Sequence, residues 1–311
     1  MNEIDIARHS RLIDPHLHVW GWEIPAYLFL GGLAAGVMIL TSILWARGDD
    51  RSKAVRWAAF APPLLVSAGM GALFLDLAGK LHVWRFYLAF RWTSPMSWGA
   101  WILVLVYPVT LLVALAGLDD AQSERVTTAL GRGPVAGLVA RARAFGRAHA
   151  AGLRRTNLAT GVALGVYTGV LLSTLGARAL WGSALLGPLF LVSGISTGAA
   201  LLLLLDLSAE ERHLVARWDR IAIGLELFVL ALFLVGLATS GADGRSAAEL
   251  LVGGPYTAPF WALVVIGGLA VPLVLELLEA RLHLPPTLAA PGLVLAGGLA
   301  LRWILVIAGQ R

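Results

Sequence analysis

In a chain that is 58% hydrophobic and only 14% charged, the residues able to do chemistry stand out by where they sit. Asp76, Glu226, Glu276 and Arg302 lie within or at the ends of long apolar runs. An ionisable group there is costly and marks a candidate proton, ion or substrate path. Each also has a plainer reading. Asp76 fits a solvated helix end or an ion pair with Lys80 or Arg85, and Glu226 a structural partner of a polar neighbour. Glu276, with Glu279, fits an interfacial anchor, and Arg302 a side chain that snorkels to the surface. Tyr167 sits inside an apolar run, where its phenol needs a hydrogen-bond partner that helix packing can supply. His16, His18 and Glu23 precede the first apolar run, and two histidines one residue apart make a poor metal motif.

What is missing is equally informative. The chain has no cysteine, which excludes thiolate-held iron–sulfur clusters, Cys-based zinc sites and disulfides. All seven histidines fall outside the apolar runs, whereas a membrane haem b takes axial histidines from within helices. The sequence therefore predicts no intrinsic haem, no iron–sulfur cluster and no metal ligands.

The elements that must position these residues are eight stretches of span length, near 24–46, 54–76, 95–118, 158–178, 184–206, 219–241, 257–279 and 286–308. About 20 apolar residues suffice for a helix to cross a hydrocarbon core. The expected fold is all-α and integral to the membrane, and the 311 residues leave no room for a separate soluble domain. No cleavable signal peptide is expected, because the first 20 residues are polar and the first apolar run is long enough to span.

Lys and Arg set the expected orientation. Counting Arg56 and Arg220 at the helix edges, fifteen lie on the side of the connections after spans 1, 3, 5 and 7, against eight on the side of the termini. The positive-inside rule puts both termini in the periplasm and the 119–157 connection in the cytoplasm. The net charge of +5 follows from such loops, and the Arg-rich 119–157 segment reads as a linker on the lipid surface rather than a nucleic-acid patch. Trp20, Trp22, Trp84, Trp92, Trp98, Trp101, Trp181 and Trp261 cluster at the termini side. They are expected to anchor at the interface, and their one-sided density suits a docking partner. Gly32 and Gly36 follow Leu28-Phe29-Leu30, as Gly194 and Gly198 follow Leu189-Phe190-Leu191. This spacing reads either as ordinary close packing or as a parallel repeat of 1–178 and 179–311. Pro62-Pro63 and Pro272 are expected to kink spans 2 and 7.

Several segments together carry a resemblance. WEIPAYLFLGGLAAG (22–36), LDLAGKLHVWR (75–85), TSPMSWGAW (93–101), GVYTGVLLS (165–173) and LFLVSGISTGAA (189–200), with Leu301-Arg302-Trp303 and Ala308-Gly309-Gln310, resemble the NrfD/PsrC family of quinone-reactive membrane anchors. The resemblance implies eight helices in two four-helix bundles, without haem, in the bacterial inner membrane. It implies a ferredoxin-like iron–sulfur subunit docked on one face, often continuing to a molybdopterin enzyme or a multihaem cytochrome. It also implies oxidation or reduction of menaquinone or ubiquinone near that face. Carried over, the roles fall on His18 (or His16) and Tyr167 as quinone contacts, Asp76 as proton acceptor, and Glu226 as a proton conductor. No Asn stands beside them to match a further quinone contact of some members. The competing reading is a secondary transporter or ion-conducting protein, in which the buried acids and Arg302 line an ion path.

Overall fold

The computed structural model describes residues 20–48, 51–77, 80–88, 90–129, 134–174, 178–282 and 285–311. Among the described residues, eight helices are long and apolar enough to cross a membrane: α1 (Glu23–Ala46), α2 (Lys53–Asp76), α3 (Pro95–Gly117), α4 (Ala150–Ser173), α5 (Leu186–Leu203), α6 (Ala209–Thr239), α7 (Thr257–Leu282) and α8 (Ala289–Ala308). Every regular element among the described residues is helical, and the chain is a multi-pass membrane protein.

The expected spans are found, with two extensions toward the basic face. α4 begins at Ala150 and α6 at Ala209, each about two turns or more ahead of its apolar run. α6 is launched by a capping box in which Ser208 Oγ accepts from the Glu211 amide and the Glu211 carboxylate accepts from the Ser208 amide. The extension brings His213 onto a helix, contrary to the expectation that all histidines lie off the long helices.

Prolines act as anticipated in one helix and differently in another. α2 breaks at Ala59-Phe60, with Pro62 and Pro63 in the first turn after the break. In α7 the distortion is not confined to Pro272: the backbone is a π-helix over Phe260–Ala270, a wider coil with i→i+5 bonding.

Packing is led by glycine. α1 lies against α2, α4 and α5; α5 also touches α6 and α8; α8 packs on α7; and α3 packs on α4. A Cβ at Gly36 would overlap the Gly194 carbonyl, one at Gly194 would sit 2.7 Å from Gly32 O, and one at Gly198 would crowd Gly36. The α1–α5 crossing is thus backbone on backbone, which maximises dispersion contact where lipid offers no hydrophobic driving force. α7 and α8 meet the same way at Gly268 and Gly297.

The 119–157 connection is more structured than a linker, with helices Asp120–Ala129 and Pro134–Ala148 leading into α4. Arg143 and Arg147 donate to the Leu118 carbonyl at the end of α3, and Arg143 also pairs with Asp120 at 2.7 Å. The hydrogen bond and charge of Arg143 hold the Asp120 carboxyl below its ordinary range. At the opposite face Gln310 and Trp20 exchange two hydrogen bonds, Trp20 N to Gln310 Oε1 at 2.9 Å and Gln310 Nε2 to Trp20 O at 3.0 Å. Trp181 departs from the anchoring expectation: it is buried, stacks on Trp20 at 5.1 Å and donates to Leu305 O of α8.

Candidate functional site

At the termini end, α1, α2, α3 and α4 bring phenols and carboxyls together. Glu23 and Tyr27 are four residues apart on α1 and so share a face. Tyr27 is buried against α2 at Gly69 and lies within electrostatic reach of Tyr167 on α4 and of Tyr87 in the short helix Arg85–Leu88. Tyr167 is buried too, and its hydroxyl end is pressed onto Gly99 of α3, where a Cβ would overlap both Cζ and Oη. That glycine belongs to the TSPMSWGAW segment, so one sequence motif makes room for the tyrosine of another. Burial and the neighbouring Tyr107 hold the Tyr87 phenol above its ordinary value, leaving it a neutral hydroxyl.

Asp76 closes α2 half-buried, and the charged group it senses is Glu23. Lys80 and Arg85, the ion-pair partners anticipated for it, lie instead near the rings of Phe74 and Trp84. Asp76 thus senses Glu23, Glu23 shares a face of α1 with Tyr27, and Tyr27 lies within electrostatic reach of Tyr167, so the four groups gather at the termini end. His18 and His16 lie outside the described residues. Tyr27 went unnoticed in sequence because it stands in an otherwise apolar run; the signal was its spacing from Glu23.

Glu226 lies elsewhere. It is buried on α6, with the Ser193 hydroxyl of α5 and the Arg302 guanidinium of α8 among the polar groups it senses. Arg302 does not snorkel: it has no exposed surface. Its Nη1 donates to Gly298 O at 2.8 Å and to Ser193 Oγ at 3.1 Å, while Nη2 donates to Phe190 O at 3.3 Å. The guanidinium also sits over the rings of Phe190 (5.1 Å) and Phe29 (5.8 Å), and a Cβ at Gly32 would come within 2.6 Å of Nη2. Ser193 thus accepts from Arg302 and sits within the electrostatic surroundings of Glu226, between cation and acid. A guanidinium buried to this degree needs such compensation, since leaving either charge unpaired costs several kcal/mol.

Glu276 is not an interfacial anchor either. It is buried, 3.8 Å from Arg220, and faces a carboxyl that sequence reasoning passed over, Asp219. Asp219 is the first residue of the expected sixth span, 219–241. The longer α6 puts it inside, with no exposed surface.

An eight-helix membrane protein with one cluster of phenols and carboxyls at the termini end, and buried acids in its second half, is the class that fold and site define. The family model described as "Polysulphide reductase, NrfD" matches residues 11–311. The C subunit of polysulfide reductase from Wolinella succinogenes is 31% identical over 307 residues, covering 94% of each protein. Protein NrfD of Escherichia coli K12 is 35% identical over 311 residues, covering 94% of this chain and 95% of that protein. A protein NrfD homolog of Haemophilus influenzae is 25% identical over 268 residues, or 82% of each protein. The chain belongs to the NrfD family of polysulphide reductase-type membrane proteins.

Proposed function

We propose that this protein is the quinone-reactive membrane subunit of a respiratory oxidoreductase and exchanges electrons with an iron–sulfur partner on the face that carries the termini. The observation that carries this reading is the grouping of Asp76, Glu23, Tyr27 and Tyr167 from three helices, α2, α1 and α4, at that face. Oxidation of a quinol releases two electrons and two protons, so a site needs hydrogen-bonding groups at the ring oxygens and acceptors leading outward. Tyr167 supplies a neutral hydroxyl in an apolar setting, and Tyr27 and Tyr87 add others. Asp76 and Glu23 provide carboxylates at the edge, and His18 or His16, in the segment leading into α1, provides an imidazole. Run in reverse, the same groups deliver protons to a quinone. Menaquinone or ubiquinone is the substrate.

The partner follows from chemistry and from kinship. A chain without cysteine has no thiolate-held cluster to accept electrons, so another subunit must do so, and one relative is itself named as a component of polysulfide reductase. A ferredoxin-like iron–sulfur subunit, continuing to a molybdopterin enzyme or a multihaem cytochrome, completes the path. Leu81, Trp84, Leu88, Phe90, Trp92 and Trp98 are exposed at the termini face, next to the site, and give such a partner an aromatic surface to rest on. With the basic connections in the cytoplasm of a bacterial inner membrane, this chemistry occurs on the periplasmic side.

Tyr167→Phe should weaken quinone binding by about 0.5–1.5 kcal/mol, roughly 2- to 13-fold, and Asp76→Asn should slow turnover of an assembled complex. A structure with a quinone-site inhibitor bound tests the placement directly. A headgroup at the opposite membrane face, away from Tyr167 and Asp76, overturns it. Buried acids in α6 and α7 favour one further element, proton movement through Glu226. That element also describes what an ion-conducting protein without quinone chemistry would do.

A further inference from the structure

Asp219 and Glu276 take no part in the site described above, yet they are among the most deeply buried acids of the molecule. Asp219 Oδ1 accepts from Ser196 Oγ of α5 at 2.9 Å. Among the described residues, Asp219 Oδ2 and both carboxyl oxygens of Glu276 have no hydrogen-bond donor, although the two carboxyl groups lie within hydrogen-bonding reach of each other. Arg220 stands 3.8 Å from Glu276 Oε2, close enough to compensate one charge and too far for a hydrogen bond. Two ionised carboxylates would therefore leave one negative charge without a partner in the interior. A single proton held between them removes that charge and gives the facing oxygens a donor.

Glu276 also borders a cavity of about 270 Å³ that opens toward the basic face between α6, α7 and the start of α8. His213, Arg212 and Arg220 of α6, Glu279 of α7 and Thr287 line it as well. At roughly 30 Å³ per molecule of liquid, it holds several waters. The ionisable groups around the pair are Arg220 and Glu226 from α6 and Glu279 from α7; α5 contributes the hydroxyl of Ser196. Asp219 and Glu226 are seven residues apart on α6, two turns along one face, which aligns the pair with the Ser193–Arg302 link deeper in the membrane.

We propose that Asp219 and Glu276 form a proton-binding site that exchanges with water in the vestibule on the basic face. A hydronium in the vestibule gives its proton to Glu276, and the pair passes from sharing one proton, with net charge −1, to holding two, with net charge zero. The second proton leaves by the same route or moves along α6 to Glu226. The site stands whether or not the quinone reading does; with it, the pair is the entry from the basic side for any proton moved by the complex.

Infrared difference spectroscopy of the purified complex in lipid nanodiscs, titrated with pH in H2O and D2O, tests the proposal. A protonated-carboxyl band should change with pH, move to lower frequency in D2O and vanish in both Asp219→Asn and Glu276→Gln. Ser196→Ala keeps both carboxyls and should shift the band without abolishing it, so the test survives misassembly of the acid variants. The proposal fails if both acid variants keep every carboxyl band, if Ser196→Ala leaves the band in place, or if the band responds to sodium ions at fixed pH and not to pH. Quinol turnover measured on the same samples separates the two ideas: a pH-dependent band in a complex that cannot oxidise quinol supports this site and refutes only the quinone reading.

Discussion

Replacing Gly99 with alanine perturbs the candidate site without touching any group that does chemistry. The added methyl would overlap Cζ and Oη of Tyr167, and ordinary contact requires about 3.5 Å or more. The ring tip must therefore withdraw by roughly 1 Å or more, which stretches a hydrogen bond of about 2.8 Å out of range. The structural cost is that of overpacking a tight site, about 1–3 kcal/mol in stability, and the functional cost is one lost hydrogen bond, about 0.5–1.5 kcal/mol. The affinity for quinone, or for an inhibitor competing with it, should fall about 2- to 13-fold, the same loss expected for Tyr167→Phe. In the double variant the hydroxyl is already gone, so the two losses should not add; a double-mutant cycle on the purified complex reads this coupling. If Gly99→Ala leaves affinity unchanged in a folded, assembled complex, or if the losses simply add, then the Tyr167 hydroxyl does not bind quinone.

Reporter fusions within 118–149 should read cytoplasmic and a fusion at Arg311 periplasmic; the reverse pattern would move the phenol cluster to the cytoplasmic side. Arg302→Leu should destabilise the protein by about 3–5 kcal/mol by stranding the Glu226 carboxyl, and adding Glu226→Gln should restore part of the loss. Thermal unfolding in detergent measures both, and an Arg302→Leu protein as stable as its parent would show that the pair is not coupled. The subunit stripped of its partners should show no haem absorption and no stoichiometric iron, as metal analysis would establish.

The eight spans were legible in the sequence because hydrocarbon thickness imposes a length that composition alone reveals. Where the reading fell short, the reason was local. The windows that define α4 and α6 lose their apolar signal at Arg154-Arg155 and at Glu210-Glu211-Arg212, although both helices continue as amphipathic segments beyond it. The Ser208–Glu211 capping box was the available sign that α6 starts early. With that early start, Asp219 lies well inside α6 and is buried. Arg302 and Glu276 were misjudged for another reason: depth along a span can be read from sequence, but the direction a side chain faces depends on partners such as Ser193 and Asp219 on other helices. Tyr167 and Asp76 were recognised through motifs, whereas Gly99, Glu23 and Tyr27 acquire meaning only when four helices converge.

The reciprocal bonds between Trp20 and Gln310, with Trp181 reaching Leu305, bear on the order of events during biosynthesis. α1 emerges from the ribosome first and α8 last, yet the entry to α1 is fastened by residues that follow α8. Insertion of the early helices cannot by itself fix Trp20 at the entry to Glu23. The termini end of the described fold is therefore tied together only once α8 has followed the other helices into place. A bulky fusion placed directly after Gln310 should loosen the distant N-terminal entry before it disturbs anything nearby in sequence.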